Sequence, residues 1–270
     1  MTSGARPRRL VLLGHPVAHS LSPVFQGAAL RAAGLDVHYE RLDVAPPQLQ
    51  TVLAALVAEG VAGNVTIPHK RAVWSACAHR TAVATRAGAV NTFWVHDGSL
   101  HGDNTDVAGF DRAIRALGAS TTGARVVLIG AGGAAAAVCV ATEAWEGARV
   151  SVVARRPDQA RRLASVFAHV EVTESAEAVS DCTLLVNTTP IGMGDDMMPC
   201  DPARVAPDAA VMDLVYRRGE TALVRAARAA GRVAADGREM LLQQGALAFE
   251  RWFGIPPDLD VMRAALDGVR

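Results

Sequence analysis

One residue in this chain of 270 stands apart by type: Lys70, the last residue of the run GNVTIPHK, is the only lysine, although lysine and arginine together number 27. An alanine- and arginine-rich chain can keep a stray lysine through coding bias, so type alone leaves two readings open. The chemical reading is that an ammonium is compact and can release its proton where its surroundings depress its pKa, whereas a guanidinium stays charged at every working pH. The neighbours of Lys70 must decide. The strand-like run GVAGNVTIP ends at Pro68, which puts Lys70 on the loop or first helical turn at the edge where open α/β sheets hold ligands. Asn64 and Thr66 alternate along that run and can share one face. HSLSP places Ser20 and Ser22 on another strand-to-helix turn, AVNT supplies Asn91, and GDNTD supplies Asp106. Short polar side chains gathered from several strand ends suit a small ligand bearing hydroxyls or a carboxylate. Taken singly, Ser20, Ser22, Asn91 and Gln244 could equally cap helices or satisfy buried backbone, and Asp106 could be an N-cap.

A second constellation lies in RVVLIGAGGAAAA, where Gly130, Gly132 and Ala135 fit the dinucleotide fingerprint G-x-G-x-x-G/A. The first glycine makes a tight turn, the second lets backbone approach a pyrophosphate, and the small third residue allows close helix packing, with the helix N-terminus facing the negative charge. An apolar strand precedes the loop, an alanine-rich helix follows, and a second strand, RVSVVARR, arrives at the proper distance. An NAD site places an acid at the end of that strand, and an NADP site tolerates the 2′-phosphate with arginine. Here the strand ends in Ala154-Arg155-Arg156, with no carboxylate before Asp158, which favours NADP. No metal is expected.

Elements must hold these residues in place. Strand-like and helical runs alternate almost from end to end, as βαβ units of a parallel sheet do. Ser22 followed by Pro23 reads as an N-cap with proline at the first helical position, and Gly34 and Gly60 stand where helices would stop. Asp97-Gly98 favours a hairpin turn. The alternation restarts after the helix DVAGFDRAIRALG, so a domain boundary is expected there. The second part holds five or six strands, enough for a doubly wound sheet, and the tail after Gly237 reads as a long helix with no strand beyond it. Half of the residues are hydrophobic, the formal net charge is zero, and no apolar run approaches the roughly 20 residues that span a membrane. The apolar run near the start ends after about five residues, short of a secretion signal's core. Cys77, Cys139, Cys182 and Cys200 form no C-x-x-C pair, and a cytoplasmic protein with buried thiols is expected. Neither nucleic acid nor membrane is an expected partner.

The blocks GHPVAHSLSP, GNVTIPHK, AGAVNTF, GDNTD, GAGGAA, NTTPIGM, DLVYRRGETALVRAARAAG and MLLQQGALAFERW together resemble the shikimate dehydrogenases, in order over nearly the whole chain. The resemblance implies an α/β fold with an N-terminal substrate domain, residues 1–105 completed by 238–270, a Rossmann-type NADP domain over 106–237, and a C-terminal helix packing back on the substrate domain. It implies NADPH-dependent, reversible reduction of 3-dehydroshikimate to shikimate in aromatic amino-acid biosynthesis. It makes Lys70 and Asp106 the catalytic pair, and Ser20, Ser22, Thr66, Asn91, Tyr216 and Gln244 ligands of the substrate. The cofactor would meet Gly130, Ala131, Gly132, Gly133, Ala134, Arg155, Arg156, Leu214 and Gly237. Two departures stand out: Phe25-Gln26 where the family usually has His-Asn, and Ala154-Arg155-Arg156 where it usually has Asn-Arg-Thr. A relative acting on quinate or an aminated ring, and a dinucleotide-binding sensor without catalysis, remain open from sequence. Expected partners are the small-molecule substrate and, as an assembly the sequence leaves open, a second copy of the chain.

Overall fold

Leu10, Val11, Leu12 and Leu13 give β1 (Arg9–Gly14) no polar break because the strand is covered on both faces. Leu10 and Leu12 pack with Phe25, Phe249 and Trp252, while Val11 and Leu13 pack with Leu49, Leu53 and Leu56. Side chains two apart along a strand share a face, so a doubly covered strand must be apolar throughout. The computed structural model describes residues 6–173 and 177–269, and these form two compact units.

The first unit consists of the chain up to Asp106 together with Leu241–Val269. Its six-stranded sheet has the order β2-β1-β3-β5-β6-β4, with β2 at His38–Asp43, β3 at Ala62–Val65, β4 at His79–Arg80, β5 at Thr92–His96 and β6 at Ser99–Asp103. The strands β2, β1 and β3 run parallel, and β5 is antiparallel to both β3 and β6. Asp97 and Gly98 join β5 to β6 with φ of 48° and 68°, the paired positive values that an Asp-Gly hairpin supplies. Gly60 ends the helix Leu49–Glu59 in the left-handed conformation.

The second unit is Val107–Met240. Its strands are β7 (Arg125–Ile129), β8 (Arg149–Val153), β9 (Val170–Val172), β10 (Leu184–Asn187), β11 (Ala210–Asp213) and β12 (Ala234–Ala235). They lie in the order β12-β11-β10-β7-β8-β9, every pairing parallel. Numbered within the unit this is the doubly wound 3-2-1-4-5-6 arrangement, whose direction reverses between β7 and β10. Val126 and Leu128 enter one core and Val127 the other, as in β1.

Two local expectations need correction. Ser22 is not the cap of its helix: the helix Ser22–Ala32 is capped by Leu21, in helical backbone geometry and without a side-chain bond. The Ser20 hydroxyl instead receives the Ser22 amide at 3.3 Å, because two residues separate them across the turn. The tail holds two helices rather than one. The helix Arg238–Phe253 stops before Gly254, at φ 70°, and a second helix, Leu259–Asp267, starts at Asp258, whose carboxylate accepts the Asp260 and Val261 amides.

Candidate active site

Lys70 is the first residue of the helix Lys70–Ala76, and Asp106 the first of the helix Asp106–Ala116. In the first unit their side chains meet: Lys70 Nζ donates to Asp106 Oδ2 at 2.6 Å. The pair is only partly shielded, with 20% of the lysine side chain and 8% of the aspartate side chain exposed. The backbone of Lys70 is held too, since its carbonyl accepts the Val90 amide at 2.9 Å. Just before it, the buried His69 ring nitrogen Nε2 lies 2.6 Å from the carbonyl of Val44.

Asn91 organises the rest. Its Nδ2 lies 2.8 Å from Asp106 Oδ1, 3.0 Å from Thr105 Oγ1 and 3.2 Å from Gln244 Oε1. Its Oδ1 accepts the Thr105 amide at 2.8 Å. Buried amides must have partners, and here one side chain ties the turn at Thr105 and Asp106 to the C-terminal helix. Behind it, Asn64 Nδ2 donates to the Asn91 carbonyl at 3.1 Å, and Asn64 Oδ1 accepts the Tyr39 hydroxyl at 2.8 Å. Thus Lys70, Asp106, Asn91 and Gln244 form one bonded group. The sequence marks Asn64 on one face with Thr66, whereas Thr105 and Tyr39 are not singled out there. Thr105 had a signal, lying inside the polar run GDNTD, but Tyr39 had none.

Ser20 and Ser22 form a pair of their own, with hydroxyls 3.4 Å apart at the turn after β1. Arg41 fixes that turn by donating to the Ser20 carbonyl from Nε at 3.1 Å and Nη2 at 2.7 Å. Thr66 follows β3, its amide bonded to the Leu13 carbonyl at 2.8 Å. The Phe25-Gln26 departure lies against the Gln244 helix: Phe25 is fully buried at Gly245, and Gln26 Nε2 donates to the Gly245 carbonyl at 2.8 Å. Tyr216 lies in the second unit, beyond β11.

The second unit holds the cofactor candidates. Gly130 follows β7 at φ 108°, and a Cβ there would also strike the Thr188 hydroxyl. Gly132 caps the helix Gly133–Glu143 and is exposed, with open space where a Cβ would stand. A helix N-terminus with free amides and no side chain over it is a ready anion cradle, so these residues fit a pyrophosphate. Arg155 and Arg156 follow β8, are exposed, and among the described residues their guanidinium groups have no side-chain partner. Gly237 is glycine for a steric reason, since a Cβ would press on the Leu214 carbonyl, and this brings the two expected contacts together.

A polar cluster missed from sequence supports that edge. Asn187 Nδ2 donates to Asp213 Oδ1 at 2.9 Å, Asn187 Oδ1 accepts the Thr189 hydroxyl at 2.7 Å, and the Val215 amide reaches Asp213 Oδ1 at 3.1 Å. Burial pushes the Asp213 carboxyl above its ordinary value, opposed by its hydrogen bonds to Thr221, Val215 and Asn187. Among the described residues no group of His, Cys, Asp and Glu could hold a metal ion, and no helix is long and apolar enough to cross a membrane.

Known proteins match this chain in sequence and in fold. Residues 12–93 match the shikimate dehydrogenase substrate binding domain, and residues 237–266 the shikimate 5′-dehydrogenase C-terminal domain. The shikimate dehydrogenase (NADP(+)) of Acidiphilium cryptum is 43% identical, covering 92% of this chain and 91% of its own. The chain belongs to the shikimate dehydrogenase family. Within the family, the Thermus thermophilus shikimate 5-dehydrogenase in complex with NADP(H) and shikimate superposes with a TM-score of 0.90 at 37% identity, over 96% of this chain and 98% of that one. Quinate dehydrogenase from Corynebacterium glutamicum, in complex with NAD, superposes with a TM-score of 0.88 at 30% identity, over 97% and 99%. The family fold therefore serves more than one substrate and cofactor, and the choice rests on side chains.

Proposed function

We propose that this chain catalyses the reversible NADPH-dependent reduction of 3-dehydroshikimate to shikimate, the step that serves aromatic amino-acid biosynthesis. The single observation that carries the reading is the bonded group of Lys70, Asp106, Asn91 and Gln244 in the first unit. Reduced nicotinamide supplies hydride to the ring carbonyl carbon. Lys70 stabilises the developing alkoxide with its ammonium and protonates it, and it takes the proton back in the oxidation direction. Asp106 balances the ammonium charge, orients Nζ and accepts from a substrate hydroxyl, while Asn91 holds the carboxylate in place. Because the pair interacts directly, a measured pH profile reports the two together.

Ser20 and Ser22 bind the substrate carboxylate, a role supported by their adjacent hydroxyls and the anchored turn. Thr66, Asn91, Tyr216 and Gln244 bind its hydroxyls. Gly130, Ala131, Gly132, Gly133 and Ala134 would cradle the pyrophosphate, Arg155 and Arg156 would take the 2′-phosphate, and Leu214 and Gly237 would contact the cofactor. Two exposed arginines without side-chain partners among the described residues, and no carboxylate before Asp158, support NADP over NAD. A cytoplasmic location is supported by four free cysteines. The test is absorbance at the NADPH band when shikimate and NADP are added, with kcat/KM then compared for shikimate, quinate and the amino analogue. A preference for shikimate supports the reading, and no reduction of NADP with any of the three overturns it.

A further inference from the structure

Three residues before Asp106 lies a second buried aspartate. Asp103 ends β6, and only 9% of its side chain is exposed. An ionised carboxylate removed from water must be paired and hydrogen-bonded to be tolerated, and Asp103 is saturated. Its Oδ1 accepts the Thr81 hydroxyl at 2.6 Å and the Asn104 amide at 2.8 Å. Its Oδ2 accepts Arg251 Nε at 3.1 Å and Nη2 at 2.7 Å. The guanidinium also lies 5.5 Å from the centre of the Trp94 ring, and the next residue, Trp252, donates Nε1 to the Phe93 carbonyl at 3.1 Å.

We infer that Asp103 and Arg251 are a positioning pair that sets Asp106 and Gln244 in register with each other. Arg251 stands seven residues after Gln244, two helical turns on, so both project from the same face of the helix. That face meets the segment 103–106 at two points, Arg251 on Asp103 and Gln244 on Asn91 beside Thr105. The turn is also tied by Asn104 Nδ2 to the Ala89 carbonyl at 3.0 Å and by the Thr105 hydroxyl to that of Thr92 at 3.1 Å, but its backbone amides depend on side chains. Its amides at Asn104, Thr105 and Asp106 all go to side-chain oxygens, those of Asp103, Asn91 and Asn104. Release of Arg251 leaves a buried carboxylate unpaired at the start of this chain of bonds, and its rearrangement carries Asp106 with it. The functional consequence rests on the reaction proposed above, whereas the structural one does not.

The experiment compares the unmodified protein with Arg251→Met, Arg251→Lys and Asp103→Asn by steady-state kinetics, melting temperature and amide hydrogen exchange. In Arg251→Met, exchange at Asn104, Thr105 and Asp106 should rise about tenfold or more relative to the amides of β1, as for a locally opened segment. The kcat/KM for shikimate should fall by up to about 10²-fold, as for a displaced catalytic group, with KM for NADP unchanged. Arg251→Lys, which keeps the charge, should recover part of both. If Arg251→Met does not fold, the same pattern in smaller degree is expected of Arg251→Lys and Asp103→Asn. Turn amides as protected as in the unmodified protein in all folded variants overturn the inference, as does a loss that falls equally on shikimate and NADP. An unmodified protein inactive on shikimate overturns the proposed reaction instead, and the exchange measurement then still decides the pair.

Discussion

Asn91 Nδ2 donates to Asp106 Oδ1 at 2.8 Å while Lys70 Nζ holds Oδ2 of the same carboxylate at 2.6 Å. Asp106 is thus gripped at both oxygens, and the amine has one direction in which to point. Removing the amide in Asn91→Ala should leave the Lys70–Asp106 bond possible but unaligned, and also release Gln244. Since misplacement on the order of 1 Å can cost about 10²-fold, kcat/KM for shikimate is expected to fall by roughly that factor. Steady-state kinetics check it, with KM for NADP as the internal control.

The cofactor assignment rests on Arg155 and Arg156, both exposed and without side-chain partners among the described residues. Charge-assisted hydrogen bonds are worth about 1.5–3 kcal/mol, but exposure and salt screen them, so NADP should be preferred over NAD by at least about tenfold. Arg155→Ala with Arg156→Ala should erase most of that preference. Equal kcat/KM for both cofactors in the unmodified protein would contradict the assignment.

Much of this is legible in the sequence. The GAGG loop and the strand preceding it follow from local chemistry, because positive φ and a bare helix N-terminus demand glycine at Gly130 and Gly132. Lys70 and Asp106 were marked by type and by position after strand-like runs. What stayed hidden depends on distant contacts. Asp103 carries no signal of its own in the sequence, because the partner that buries it, Arg251, is 148 residues away. The edge strand His79–Arg80 is two residues long and has no periodicity to read. Ser22 looked like a cap because Pro23 follows it, yet the cap position falls on Leu21, and the Ser22 amide turns to the Ser20 hydroxyl.

Asp236 gives a pH dependence. Burial raises its carboxyl pKa, against the bond from the Arg238 amide and the charges of Arg238 and Arg228. Unfolded, such a group titrates near about 3.9. The folded form therefore binds more protons than the unfolded form just above that pH, and this group's contribution is greatest below it and declines as pH rises through the folded value. Asp236→Asn keeps an acceptor for the Arg238 amide and removes the titration. Urea unfolding should show the unmodified protein losing ground to this variant between acidic and neutral pH. A difference that is constant across that range would contradict it.

The thiols offer a simpler check. Burial pushes Cys77, Cys182 and Cys200 up to about 11, and the thiolate is the reactive form. Alkylation at mildly alkaline pH should be slow in the folded protein and fast after denaturation. Cys200, the least buried of the three, is the most exacting position.

The most direct test of the central claim uses the solitude of Lys70. An amine-selective acylating reagent finds in this chain only the α-amino group and Lys70, and mass spectrometry scores each separately. If Lys70 is the proton donor, turnover should fall in proportion to its own modification, α-amine modification alone should leave activity intact, and bound shikimate with NADP should slow labelling at Lys70 only. Lys70→Arg should fail as well, by about 10²- to 10⁴-fold in kcat, because a guanidinium keeps the charge but cannot surrender the proton. A chain fully acylated at Lys70 that still reduces 3-dehydroshikimate at the original rate would contradict the account.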